Sequence, residues 1–565
     1  MLLCFPSIIH RVESNLVALD ACRLLGLELR PDLALEAFTK DSDNSDEHDA
    51  EKENFQAGMG ANYERLEFLG DSFLKMATTM AIYTLIPDKG EFEYHVERML
   101  LICNKNLFNN ALEVGLEEYI RSMSFNRRQW YPEGLVLKKG KTKDTRTRHV
   151  LADKSIADVC EALIGAAYLT SQEKGSFDMA IKAVTVMVKD KKHRMMNYGD
   201  YYAVYQKPNW QTAPANSAQR DMAKKFSERM GYKFKHPRLL RAAFQHPTYP
   251  SLYEKLPSYQ RLEFLGDALF DMVAVDYLFH KFPAANPQWL TEHKMAMVSN
   301  QFLCCLSFHL GFTKCVATMS PPLLKDIAEY VTEIEEALEA AKQEAVNQGK
   351  PPEEYRRDYW MHVTHVSRLP KCLSDVVEAY IGAIFVDSEY DYSVVQDFFN
   401  THVLPFFEDM HLYDSFANKH PVTYVANMLV HKFGCQEWRT FTKELENHLS
   451  ATGRGGGMGA GAAGGAVAGE VTETNAPQIL AALLIHGKTA SHKVRASGNY
   501  AKIAMAKEAI DILKGLTVNQ FREEYGCNCK GVPMEVDGGV ASAEEVDGES
   551  DGDGDGTLIS FTSDH

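Results

Sequence analysis

Glu67 and Asp71 stand four residues apart in YERLEFLGD (Tyr63 to Asp71), and Asp158 and Glu161 stand three apart in DVCEA (Asp158 to Ala162). Helical spacing turns each pair to one side of its helix. If those two sides meet, four carboxylates gather, with Gly70 as the residue that permits close approach. Like charges so crowded cannot all stay ionised without compensation. A hard divalent cation with oxygen ligands, Mg2+ or Mn2+, is their natural partner. Such a site suits phosphodiester hydrolysis, one cation activating a water and a second stabilising the leaving 3′ oxygen.

A lone pair of this kind is common on solvated helix faces. Here the pairs lie inside apolar segments, LEFLGDSFL and ADVCEALIGAAYL, where unpaired carboxylates are costly. They also recur. Tyr259 to Asp267 reads YQRLEFLGD, 196 residues on, and Asp375 to Ala379 reads DVVEA, 217 residues after its counterpart. The second set is therefore Glu263, Asp267, Asp375 and Glu378. A lysine, Lys154 or Lys371, precedes each aspartate of the second motif by one helical turn, placed to neutralise charge on the reacting phosphate or to pair with the aspartate.

The elements that must position these groups form a duplication. Both copies read as helices separated by Gly, Pro and Asn breaks, with no long alternating strand pattern. The growth of the offset from 196 to 217 marks an insertion in the second copy. Lys325 to Lys350 is the candidate, and its composition favours a charged surface helix. Residues 197–217, with Pro208 and Pro214, read as a linker that spans roughly 25 Å as a flexible coil.

The region from Pro421 to Leu513 has a different grammar: an amphipathic helix (Val422 to Phe433), a strand at Glu437 to Phe441, two strands within Ile479 to Arg495, and a helix from Tyr500 to Leu513. A Gly/Ala tract, 453–469, interrupts it. Cys435 before the first strand, and Cys527 and Cys529 after the last helix, give a zinc-like spacing once a histidine joins them. His486 on the strand LLIHG is the first choice of fourth ligand and His492 the second.

The net charge of −17 seems to exclude polyanionic partners, but it is concentrated. Residues 41–54 hold seven acidic residues and one lysine, and residues 535–565 hold ten and no Lys or Arg. The remainder is close to neutral, so local basic segments decide. One is Lys138 to His149, where Lys138, Lys139, Lys141 and Lys143 could meet phosphates or simply face solvent. A second is Lys493, Arg495 and Lys502 at the start of the last helix. No stretch approaches the ~20 apolar residues of a membrane span, and MLLCFPSIIH lacks a basic start and a cleavage site. The scattered cysteines, among them Cys160, Cys304 and Cys305, point to a reducing, intracellular setting, cytoplasm or nucleus. The GKT triplets at Gly140 and Gly487 are not phosphate-binding loops, because Leu135 and Ala482 stand where the earlier glycine is needed.

RLEFLGD followed by D-V-x-E-A resembles the ribonuclease III signature. Two such domains before an α-β-β-β-α domain resemble the C-terminal half of a Dicer, in particular a fungal one, over Ile8 to Cys529. The resemblance implies a mainly α chain: two all-helical ribonuclease III domains in tandem (8–196 and 218–413), a double-stranded-RNA-binding domain (420–530), and an acidic disordered tail (531–565). It implies that all eight carboxylates bind metal and act in catalysis. It further implies that the two domains pair face to face within one monomeric chain, each cutting one strand of duplex RNA to leave 3′ overhangs for RNA silencing. Phe68, Leu69, Phe264 and Leu265 would lie at that contact or in the cores. It also implies a structural zinc on Cys435, His486, Cys527 and Cys529. Glu64 is Gln260 in the second copy, so no accessory acidic role there is general. A non-catalytic RNA-binding scaffold on the same fold is the alternative, and the retention of all eight carboxylates argues against it. The duplication argues against a one-domain enzyme of the bacterial type.

Overall fold

The structure, a computed structural model, describes residues 5–40, 59–86, 89–122, 125, 151–363, 369–414, 416, 421–445, 478–495 and 498–529. The acidic stretch 41–54, the basic run 138–149, the Gly/Ala tract and the acidic tail lie outside them. The chain divides into two compact units, Met1–Ala417 and Asn418–His565. No helix among the described residues is long and apolar enough to cross a membrane.

The first unit is helical and is built around two crossed pairs. The Glu64–Leu85 helix lies against Asp153–Gln172, and Gln260–Lys281 lies against Cys372–Asp387. These helices are apolar nearly all round, as central core helices must be; Leu66, Leu69, Phe73, Leu163 and Ala166 are at most 1% exposed. Each crossing is a contact of backbones through glycines. A Cβ on Gly70 would sit 1.8 Å from the Glu161 carbonyl oxygen, and one on Gly165 would sit 2.2 Å from that of Leu66. The second copy repeats it: Gly266 faces the Glu378 oxygen at 1.8 Å and Gly382 that of Leu262 at 2.3 Å. The expected close approach at Gly70 is thus half of a reciprocal pair.

The inserted stretch is a helix, Pro321–Asn347, capped by the Ser320 hydroxyl, which accepts from the Leu323 N–H. One face of it is apolar, with Ile327, Tyr330 and Ile334 buried. Residues 197–217 are not a coil either. Short helices, Gly199–Val204 and Asn209–Thr212, bury Tyr201 and Tyr205, and the Tyr205 hydroxyl donates to Gln211 Oε1 at 2.8 Å. Aromatic side chains, rather than loop entropy, set the path of this segment.

The second unit has the expected helix, three strands and helix, plus one more helix. Pro421–Asn427 continues through a wide turn, Met428–Lys432, before strands Trp438–Leu445, Gln478–Ile485 and Lys488–Arg495. The sheet is antiparallel in sequence order, with Trp438 opposite Ile485, Ile479 opposite Arg495, and an irregularity at Leu483/Leu484. His486 and Gly487, with φ of 47° and 75°, make the tight turn between the last two strands, where both central residues need positive φ. Gly498–Lys514 packs on the sheet, and Val518–Tyr525 follows it.

Candidate active site and metal centres

The crossed helices bring Glu67, Asp158 and Glu161 together, with one oxygen of each within 4.8 Å of the others. Glu263, Asp375 and Glu378 form the same group in the second copy. Lys154 Nζ lies 3.1 Å from Asp158 and 3.7 Å from Glu67, and Lys371 Nζ lies 3.3 Å from Asp375 and 3.4 Å from Glu263. In the second group the Tyr259 hydroxyl donates to Asp375 Oδ2 at 2.9 Å. Both lysines thus do what their spacing allowed, pairing with the aspartate while spanning the carboxylate cluster.

One lysine cannot neutralise three carboxylates. Burial first, then repulsion from Asp158, pushes the Glu67 carboxyl up to about 7, and burial with Asp375 pushes Glu263 up to about 9. Glu161 and Glu378 are driven well above the carboxylate range by burial and by their acidic neighbours. A site that holds protons where oxygen donors converge fits a hard dication, which would replace them. The sign of the pH effect follows. An unfolded glutamate titrates near 4.3, so from there up to these raised values the native state holds the extra protons, and stability falls as pH rises. Unfolding of metal-stripped protein should therefore come at lower temperature as pH goes from about 5 to about 9, and saturating Mg2+ should flatten most of that fall. A metal-free profile that is level or rises across this window contradicts the assignment.

Asp71 and Asp267 do not join the groups. Asp71, at the edge of the contact between the copies, acts on Glu67, Asp158 and Glu161 through its charge and itself feels the charges of Lys294, Lys75 and Arg98 there. Asp267 is held by the other copy: Lys75 Nζ lies 3.0 Å from it and Arg98 3.9 Å. Around these residues the two copies meet reciprocally. Arg98 covers the ring of Phe264 at 4.5 Å, and Lys294 covers that of Phe68 at 5.8 Å. Phe264 also packs against Tyr94 and His95. Arg65 reaches across to the backbone carbonyls of Phe279 and Ala285. Phe68 and Phe264 are therefore contact residues, while Leu69 and Leu265 are fully buried in the core.

In the second unit Cys435, His486, Cys527 and Cys529 place their ligand atoms within 4.8 Å of one another, and His492 is not among them. His486 Nε2 is 3.5 Å from both Cys435 Sγ and Cys529 Sγ. That is the ~3.5 Å edge implied by tetrahedral Zn–S and Zn–N bonds of about 2.3 and 2.0–2.1 Å. His486 Nδ1 faces Glu437 Oε2 at 2.9 Å, which fixes the ring and turns Nε2 to the sulfurs. Burial pushes Cys435 up to about 12. Cys529 is lowered: burial opposes this, but the N–H groups of Gln436 and Glu437 outweigh it. Four convergent soft and imidazole donors, none in a disulfide, fit zinc. Sequence reasoning missed the Val518–Tyr525 helix that delivers Cys527. Its signal was Thr517 three residues before Gln520, a capping box, with Phe521 and Tyr525 on one face. Phe521 stacks on Phe433 at 4.1 Å.

Of the basic residues in this unit, Lys493 is engaged by Glu508 at 2.7 Å, Arg495 is exposed, and Lys502 is half-buried near the start of its helix. Lys138, Lys139, Lys141 and Lys143 lie outside the described residues.

Comparison with known proteins agrees with this architecture. The Ribonuclease III domain family matches residues 64–172 and 260–389, and the dsRNA binding domain family matches 413–515. The chain is 84% identical to a Dicer-like protein 1 of Neurospora crassa over 98% of its own length and 34% of the relative's. It is 62% identical to Dicer-like protein 1 of Chaetomium globosum over 93% of the chain and 32% of the relative. It spans about a third of the length of these curated relatives. Among solved structures, the nuclease domain of ribonuclease III from Campylobacter jejuni is 24% identical and covers 33% of this chain and 96% of its own, with a TM-score of 0.22. With two ribonuclease III domains and one dsRNA binding domain matched, the chain is similar over nearly its whole length to about a third of the length of the fungal Dicer-like proteins.

Proposed function

We propose that the chain hydrolyses phosphodiester bonds of double-stranded RNA, one strand at each copy, and that all eight carboxylates serve the two sites. The observation that carries this reading is the same buried three-carboxylate group, with its lysine, in each copy. Divalent cations at these groups, Mg2+ or Mn2+, would supply Lewis-acid stabilisation of phosphate charge and activation of water. Lys154 and Lys371 oppose the rise that burial imposes on Asp158 and Asp375 and leave positive charge beside the scissile phosphate. Tyr259 orients Asp375 through its hydroxyl. Asp71 and Asp267 complete the two sites from their rims once duplex and metal are bound. The reciprocal contact at Phe68 and Phe264 supports pairing within one monomeric chain. Cuts staggered across the duplex would leave 3′ overhangs on products of the kind RNA silencing uses. Arg495 and Lys502, with the basic run at Lys138 to Lys143, would contact RNA phosphates, a salt-dependent grip read by duplex shape. Purified chain incubated with end-labelled long duplex RNA should cut both strands with Mg2+ and neither strand with chelator. Duplex that survives with Mg2+ present would overturn the reading.

The second unit would carry one structural zinc on Cys435, His486, Cys527 and Cys529. Freshly purified, reduced protein should retain about one zinc per chain through dialysis. Cys527→Ser should release it and lower the unfolding temperature of the second unit while sparing the first. Metal analysis that finds no zinc contradicts this.

A further inference from the structure

Positions 75 and 271 are equivalent in the two copies, 196 residues apart, yet one is lysine and the other aspartate. Both lie where the copies meet. Lys75 Nζ is 3.0 Å from Asp267 across the contact, whereas Asp271, only 4% exposed, is 3.0 Å from Lys294 of its own copy and meets Lys75 across the contact through its charge. The charges nearest them occupy matched positions with matched signs, Asp71 and Asp267, Arg98 and Lys294, while Glu91 and Asp276 meet the neutral Gln260 and Tyr168 farther along the contact. Within the cluster around positions 75 and 271, the first copy therefore brings Asp71, Lys75 and Arg98, one net positive charge. The second brings Asp267, Asp271 and Lys294, one net negative charge. A first copy against a second is neutral, with Lys75 and Asp271 each beside an opposite charge. Two first copies would gather four cations around two carboxylates, and two second copies the reverse.

The two matched rings do not by themselves make that distinction, because Phe68 and Phe264 are the same residue at the same position. We propose that the Lys75/Asp271 exchange is a pairing determinant: it selects a second copy as the partner of the first and disfavours association of like copies from different chains. Charges held in a poorly hydrated contact cost little when paired and much when left beside their own sign. Such negative discrimination is what separates partners whose attractive surfaces are alike.

The reciprocity of the contact gives a test that a merely local role would fail. Lys75→Asp makes both copies negative at this contact, and Asp271→Lys makes both positive. The double variant transposes the arrangement: the carboxylate introduced at position 75 would then face Arg98, and the ammonium introduced at position 271 would face Asp71. Each single reversal in the full chain should shift the unfolding equilibrium of the first unit by at least about tenfold at a fixed denaturant concentration. The double variant should return to within about threefold of the parent. When the two single variants are co-expressed, balanced pairs can form only between chains, so they should co-purify as a one-to-one dimer, while parent and double variant stay monomeric by light scattering. A double variant no more stable than the single reversals would overturn the proposal. So would single reversals that behave as the parent, or co-expressed single variants that remain apart. None of these readouts uses RNA, so they stand independently of the cleavage reaction.

Discussion

Replacing Gly70 with alanine is expected to lower stability by about 3 kcal/mol and to cut the rate at the first site by roughly 10²-fold. The cause is geometric. The new Cβ would lie 1.8 Å from the Glu161 carbonyl oxygen, a backbone atom that no rotamer change can move away. The two central helices must part, and Glu161 is the residue displaced. Parting by even ~1 Å spoils a constellation whose members must converge on one point. Gly266→Ala should do the same to the second site through Glu378. Gly199→Ala, with nothing within 4 Å of its new Cβ, serves as the control and should change stability by no more than about 0.5 kcal/mol. The loss should also be strand-selective, Gly70→Ala sparing the strand cut by the second copy. Circular-dichroism melts and strand-resolved cleavage check both parts. A Gly70→Ala chain as stable and active as the control would mean the helices do not cross as described.

Much of this was legible in the residues because the chain states it twice. One E-x-x-x-D or D-x-x-E carries little information, but recurrence at offsets of 196 and 217 made the carboxylates and the helical pairs readable without coordinates. The order helix, three strands, helix in the second unit followed from periodicity and breaks. What stayed hidden depends on contacts between copies or on aromatic packing. That Asp267 is held by Lys75 and Arg98 cannot be read from either copy alone, because Lys75 lies in an otherwise ordinary helix turn. Residues 197–217 read as a coil because Pro208 and Pro214 dominate the pattern. Buried Tyr201 and Tyr205 override those prolines and order the segment. The inserted stretch was readable as a charged surface helix, but its buried face was not, because Ile327, Tyr330 and Ile334 are outnumbered by charged residues.

The largest effects should come from the carboxylates themselves. Burial and acidic neighbours drive Glu161 and Glu378 well above the usual range, which favours their neutral form when no metal is bound. Glutamine copies that neutral form in size and polarity, so Glu161→Gln and Glu378→Gln should fold as the parent does. Each should nevertheless lose an oxygen donor for the cation, and cleavage at its own site should fall by about 10²–10³-fold. Because the groups lie in separate copies, neither loss should spread to the other. Cutting of a single strand should persist in each single variant, and the double variant should be inert.

The most direct measurement of the central claim uses one long RNA duplex with a different label on each strand, incubated with Mg2+ and four proteins: parent, Glu161→Gln, Glu378→Gln and the double variant. With one site per strand, the parent cuts both strands at a given position. Each single variant leaves a nick, the two single variants nick opposite strands, and the double variant leaves the duplex whole. Loss of both cuts in either single variant, or cleavage of both strands by the double variant, would contradict the account.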